Sequence, residues 1–317
     1  MQNDLIRHTI YVNRFGGGLY NKLLPDLKRL RDDLILKVAG AKNLREQKKL
    51  SKLLNDIRLT ISSTIPEAIN PELFNDFAVY ENEHALKLLD KATVSSVTIG
   101  NGLQEAQMLS LLTKSKLKMA GKAAMSIDAA VKVFSDRYYK DIKSSIELGL
   151  LSGDTNDKIV ESIDYLSNNR TRQQAEALVR TLANHTGTVA RTEAFSEYKH
   201  LFVGEKYVTA LDSRVSPICI SLADKIFPFN EGPYPPQHYN CRSVRIAQLK
   251  PEYDLKTGGK RSSSTGPVSS DTTYNSWLKS QNAETQNEIL GLARAKSYRK
   301  SGKPIDKFID RKGKYYT

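Results

Sequence analysis

Apolar residues recur at intervals of three and four over most of the first 200 positions. Between Leu19 and Ala39, residues Leu23, Leu27, Leu30, Leu34 and Val38 share one helical face, and Leu50, Leu54, Ile57 and Ile61 repeat the spacing up to Pro66. Each stripe is too narrow to stand alone, so the two helices are expected to form an αα-hairpin that closes within the chain or on a partner chain. Ahead of them, His8, Ile10 and Val12 alternate with polar residues before Gly16-Gly17-Gly18, which predicts an extended arm over residues 1–18. A third helix is expected from Pro71 to Lys91, with Asn70 as its cap and Pro71 in the first turn, where the missing N–H costs nothing. From Leu103 to Leu151 the pattern is helical again, and Ile127, Val131, Phe134, Tyr138, Ile142 and Ile146 keep to one face. Gly153-Asp154 marks a turn with Asp154 or Thr155 as the next cap, ahead of helices over Asn156–Leu166 and Arg170–Phe202.

The pattern changes after Gly204. Tyr207 to Leu211 predicts a short strand, and the 33 residues from Asp212 to Val244 hold both cysteines and five prolines. A loop of that length is usually functional or pinned by something other than secondary structure. Residues 256–273 are rich in Gly, Ser and Thr and predict a flexible linker, followed by helix around Trp277. The expected class is α+β, mainly α. A helical region over 19–184, suited to docking or assembly, precedes a small mixed α/β module over 185–255, the linker, and a helical and basic tail over 274–317.

With 39% hydrophobic and 26% charged residues, the composition is that of a soluble globular protein. No apolar run approaches the roughly 18 to 20 residues of a membrane span, no secretory leader is expected from Met1 to Arg14, and two cysteines point to a reducing compartment. The net charge of +13 is unevenly spread. From residue 294 onward, nine bases (Arg294, Lys296, Arg299, Lys300, Lys303, Lys307, Arg311, Lys312, Lys314) against two acids (Asp306, Asp310) leave +7. Such a tail suits phosphates or an acidic protein surface, or is simply solvated.

The chemistry concentrates in Asp212-Ser-Arg214, Cys219, and Pro235-Pro236-Gln-His238-Tyr-Asn-Cys241-Arg242-Ser243. His238 and Cys241 are three apart and Cys219 can return to them across the loop, offering one imidazole and two thiols to a soft ion such as Zn²⁺. A fourth ligand would have to come from Asp212, Asp224, the backbone or water. The alternatives are two small buried hydrophobes braced by a histidine, or a Cys219–Cys241 disulfide formed after release from the cytosol. Catalysis would need Cys219 or Cys241 as nucleophile with His238 as base, or a metal-bound water with Glu193 as acid/base. No nucleophile elbow, Walker motif, dinucleotide fingerprint or H-E-x-x-H accompanies them, so a non-enzyme is expected.

The order of these elements resembles the C-terminal domain of the bacteriophage Mu F-like head morphogenesis family, the minor head proteins of tailed phages. The resemblance spans roughly residues 185–249. It begins with a helix carrying Arg191-Thr192-Glu193, continues through a strand, Asp212-Ser-Arg214 and Cys219, and closes on the Pro-Pro-x-His-x-x-Cys-Arg-Ser run ending at Ser243. Tyr274 to Gln281 and Ile289 to Ala295 are similar to the tail that often follows this domain. Many members carry C-x-x-C and C-R-C pairs where this chain has Ser216 and Ser243, and Leu222-Ala223-Asp224 stands where L-D-G is usual. The resemblance implies a structural component of few copies inside the virion. Its implied partners are portal, major capsid or scaffolding protein, with assembly in the host cytoplasm away from membrane; the alternative is an internal DNA-binding or ejection protein whose main partner is packaged DNA.

Overall fold

The computed structural model describes residues 2–255, 260–310 and 312–316, apart from the side chains of residues 2–7, 9, 10 and 13. It is 62% helical with small antiparallel sheets, which makes the class α+β, mainly α. Helix α1 (Gln2–Ala39) runs straight through the residues expected to form an extended arm and through all three glycines. The glycines do not stop it because α7 (Arg172–Ser196) packs against it there. A Cβ on Gly16 would lie 3.2 Å from the Arg180 Cα and 3.4 Å from the Ala183 Cβ, so at this position close backbone approach offsets the ~1 kcal/mol a glycine costs inside a helix.

Helix α2 (Gln47–Ala68) packs on α1, and both meet α5 (Ile127–Leu151), α6 (Asn156–Leu166) and α7 in one core. Leu23, Leu30, Leu34 and Val38 are buried there with Leu54, Ile57 and Ile61. The hairpin therefore closes within the chain, and docking through these two stripes is ruled out because the fold has already used them. Asn70 caps as expected, accepting from the Leu73 N–H at 3.1 Å, and a 3-10 turn leads into α3 (Asn75–Ala92).

The helical stretch expected from Leu103 to Leu151 is broken. Helix α4 (Glu105–Lys114) ends, residues 115–126 form a loop pinched by an antiparallel bridge between Leu117 and Met125, and α5 restarts at a Ser126 cap. At the other end of α5, Gly149 admits α6: an added Cβ would sit 2.5 Å from the Ile159 Cγ1, an atom of a fully buried side chain. Gly149→Ala is accordingly expected to lower stability by about 1–3 kcal/mol through overpacking, although an unpacked helical glycine gains ~1 kcal/mol from the same change. Chemical denaturation of the two proteins measures the sign.

Helix α7 ends at Ser196 rather than running to Phe202, and β1 (Phe202–Val208) starts earlier than expected. It lies between β2 (Ile226–Phe227) and β3 (Val244–Leu249), with both pairings antiparallel. Helix α8 (Pro217–Leu222) interrupts the long loop. The linker expected over 256–273 is a hairpin of β4 (Lys260–Ser263) and β5 (Gly266–Ser269) where it is described; residues 256–259 lie outside the described part. Arg261 accounts for the order, since its buried guanidinium donates to the carbonyls of Thr272, at 3.0 Å, and Thr209.

The tail is equally folded. Helices α9 (Tyr274–Ser280), α10 (Ala283–Leu290) and α11 (Leu292–Ser301) and a 3-10 turn at Ile305–Phe308 bury Trp277, Tyr298, Ile305 and Ile309 together with Leu211 and Ile220 of the preceding module. Among the described residues, no helix is long and apolar enough to cross a membrane.

Candidate functional site

Three supports shape the long loop. The first is the cluster itself, where the metal-binding atoms of Cys219, His238 and Cys241 all lie within 4.8 Å of one another. The Cys219 Sγ is 3.4 Å from His238 Nε2 and 3.6 Å from the Cys241 Sγ. His238 Nδ1 lies 2.8 Å from the Tyr239 carbonyl oxygen, which fixes Nδ1 as the donor and leaves the Nε2 lone pair facing the sulfurs. Both thiols are buried, and the Tyr207 hydroxyl lies 3.4 Å from Cys219.

The thiols share their protons unequally. A hydrogen bond from Cys219, together with His238, holds Cys241 well below the ordinary thiol range, while its bond to Cys241 and burial push Cys219 up. Burial pulls His238 downward, yet its bond to Cys241 and that sulfur's charge carry it above the usual imidazole value. One thiolate, one neighbouring thiol and one oriented imidazole at these separations fit Zn²⁺, whose bonds of about 2.0 to 2.3 Å place co-ligands ~3.5 Å apart. The two acidic candidates for a fourth ligand are engaged elsewhere. Asp212 pairs with Arg242, and Asp224 accepts from the Tyr274 N–H at 2.8 Å and faces Lys206.

The second support is ionic. Arg242 grips Asp212 with both forks, at 2.5 and 2.8 Å, and the Arg214 N–H adds a bond of 3.0 Å while its guanidinium stays exposed. Although burial pushes Asp212 up, these bonds hold its carboxyl below the usual range. Arg245, which the sequence does not single out, supplies a parallel anchor. It pairs with buried Glu205 at 3.0 Å, stacks over the Tyr234 ring at 4.1 Å and donates to the Glu231 carbonyl at 2.6 Å.

The third support is α7. Its polar residues Thr181 and Asn184 are buried against the loop. Asn184 donates to the Cys241 carbonyl at 2.6 Å and lies 3.3 Å from that of Ser243, and the Thr181 hydroxyl accepts from the Asn240 N–H at 3.0 Å. Ser243 is buried beside the cysteines as a backbone partner of α7. The signal for these supports was a helix whose polar face, Thr181, Asn184, His185 and Thr188, carries no Lys or Glu of the kind a solvated face shows.

Arg191 pairs with buried Glu81 of α3 at 2.5 Å, and His8 of α1 bonds the same carboxylate. Glu193 is not part of the Cys/His cluster; it is half-buried on the wall of a cavity beside α7. His185 lies between that cavity and Ser115, its Nε2 2.9 Å from the hydroxyl, and burial holds it down to about 4. The unfolded chain therefore binds a proton that the native one refuses between pH 6.5 and about 4. Stability should fall by about 3 kcal/mol as pH drops through that window, and His185→Gln should flatten the slope in denaturant titrations at pH 7 and 4.5.

The basic residues of the tail divide. Lys296, Lys300, Lys303, Lys307, Lys312 and Lys314 are exposed. Arg294 is spent on the carbonyls of Leu290 and Tyr316, exposed Arg299 bonds Gln286 and Asn287, and Arg311 lies outside the described residues.

A search of the curated proteins found no match, and neither did a search of the solved structures. The family model described as Phage Mu protein F like protein matches residues 140–246, from the middle of α5 to β3. The match begins ahead of the motif-bearing stretch 185–249 and takes in the whole of α7, the helix that holds the Cys/His loop. Over residues 140–246 the chain carries a Mu F-like domain.

Proposed function

We propose that the protein is a minor head component of a tailed phage, acting in head morphogenesis at the portal and retained inside the virion. The Mu F-like match over residues 140–246 carries this reading. The arrangement of the loop agrees with a structural role, because Cys219 and Cys241 are each 1% exposed. Quantitative mass spectrometry of purified procapsids, with and without portal, tests it. The protein is expected to co-purify with portal after nuclease and high-salt treatment; loss of the association under those conditions would overturn the portal assignment.

Within that role, Cys219, His238 and Cys241 would hold one Zn²⁺, which when bound would cross-link α8 to the segment before β3. Refolding with equimolar zinc should give about one ion per chain and, because the ion binds only the folded form, raise stability by ~4 kcal/mol at a thousandfold excess over Kd. Cys241→Ser should abolish both effects. Zinc content near zero after refolding would leave the trio as a packed brace.

Exposed lysines on α11 and beyond support a second reading, contact with packaged DNA. Affinity for duplex DNA should then drop steeply between about 50 and 200 mM salt. Replacing Lys296, Lys300, Lys303 and Lys307 with Gln should flatten that dependence without disturbing the buried side of α11. An unchanged slope would assign these charges to a protein surface.

A further inference from the structure

Beside the Cys/His cluster, and walled in part by the same loop, lies an open cavity of about 660 Å³, a size typical of ligand sites. One wall is the loop between α4 and α5, where Lys116, Lys118 and Lys122 stand exposed between buried Leu117 and Met119. The second wall is the middle of α7, and the third is the run Pro233 to Gln237 that leads into His238. A backbone bond of 3.0 Å from the Ala120 N–H to the Gln237 carbonyl ties the first wall to the third.

Two features say what the cavity would accept. Met119, Val189 and the prolines give it an apolar floor. None of the three lysines makes an ion pair among the described residues, and Lys122 lies 4.6 Å from the centre of the Tyr239 ring. Against them stands a single carboxylate in the lining, Glu193, and His185 is neutral at pH 7.

We propose that this cavity is a docking site for an acidic peptide segment of a partner protein, with an apolar side chain on the floor and carboxylates against Lys116, Lys118 and Lys122. The polar groups choose peptide over nucleic acid. Glu193 can accept a peptide N–H, whereas a phosphate offers acceptors only and is repelled by Glu193. The α7 wall is mid-helix, so its N–H groups are already bonded and provide no anion cradle. A second copy of this chain is disfavoured as partner by the +13 charge each copy carries.

The test uses the purified full chain and the labelled peptide Asp-Glu-Leu-Phe-Glu-Asp in fluorescence anisotropy, with its Asn/Gln counterpart and a short oligothymidylate as comparisons. Saturable binding of the acidic peptide is expected. It should weaken about tenfold in the Asn/Gln peptide and in the triple variant Lys116→Gln, Lys118→Gln, Lys122→Gln, as three exposed ion pairs imply. Absence of saturable binding, equal affinity for the neutral peptide, indifference to the triple variant, or displacement by oligothymidylate would each overturn the proposal. Portal association can fail while this binding holds, so the two readings fall separately.

Discussion

Arg191→Met is expected to cost about 3–5 kcal/mol, because it strands the Glu81 carboxylate without its principal partner in a site with no solvent access. Glu81 is 0% exposed and sits where three helices meet, bonded by Arg191 of α7 at 2.5 Å and by His8 of α1. The loss reports an uncompensated charge rather than the value of the pair. Adding Glu81→Leu to the same chain should therefore recover most of it, since an apolar group of similar size removes the stranded charge. Equilibrium unfolding of the wild type, the single variant and the double variant closes the comparison. A double variant no more stable than Arg191→Met would show that Arg191 acts through packing of its stem. The outcome bears on function because Arg191, in the Arg191-Thr192-Glu193 run of the Mu F-like domain, ties α7 to α3 and α1.

Truncation after Ala293 is expected to unfold the C-terminal part of the protein. The deleted residues include Ala295, Tyr298, Ile305 and Ile309, all buried against Tyr274, Trp277, Leu211 and Ile220. Removing several such side chains at once costs on the order of 5 kcal/mol or more, at a few kcal/mol for each large one. Trp277, the only tryptophan and 1% exposed, is the reporter: its emission should shift to the red as water reaches the ring. Replacing the exposed lysines alone should leave that emission unchanged. A truncated chain with the native spectrum would show that the tail is dispensable for folding.

The contrast between these variants shows where sequence reasoning held and where it failed. Helices with a strong apolar stripe, such as the one carrying Ile127 to Ile146, were legible because burial of one face demands the 3.6-residue period whatever lies opposite. Local capping was legible as well, at Asn70 and Thr155, since both caps satisfy backbone groups within four residues. Gly16-Gly17-Gly18 misled because a glycine run is also what permits two helices to touch, and only the position of Arg180 on α7 distinguishes the two cases. The Ser/Gly/Thr stretch misled for a similar reason. Its order comes from one buried arginine, Arg261, whose hydrogen-bond partners lie outside the hairpin.

The sequence by itself determined the mainly helical class, the residue types at the Cys/His site and the family of its central domain. These depend on periodicity, donor chemistry and motif order, which are properties of the chain read in one dimension. Only the tertiary structure decided that Cys219 meets His238 and Cys241, that Asp212 belongs to Arg242 rather than to a metal, and that the amphipathic stripes of α1 and α2 are buried within the chain. It also decided that the polar face of α7 points inward. Each of these is a pairing across tens of residues, selected because a buried polar group or an apolar stripe must find a partner somewhere, and the chain's linear order does not say which one is within reach.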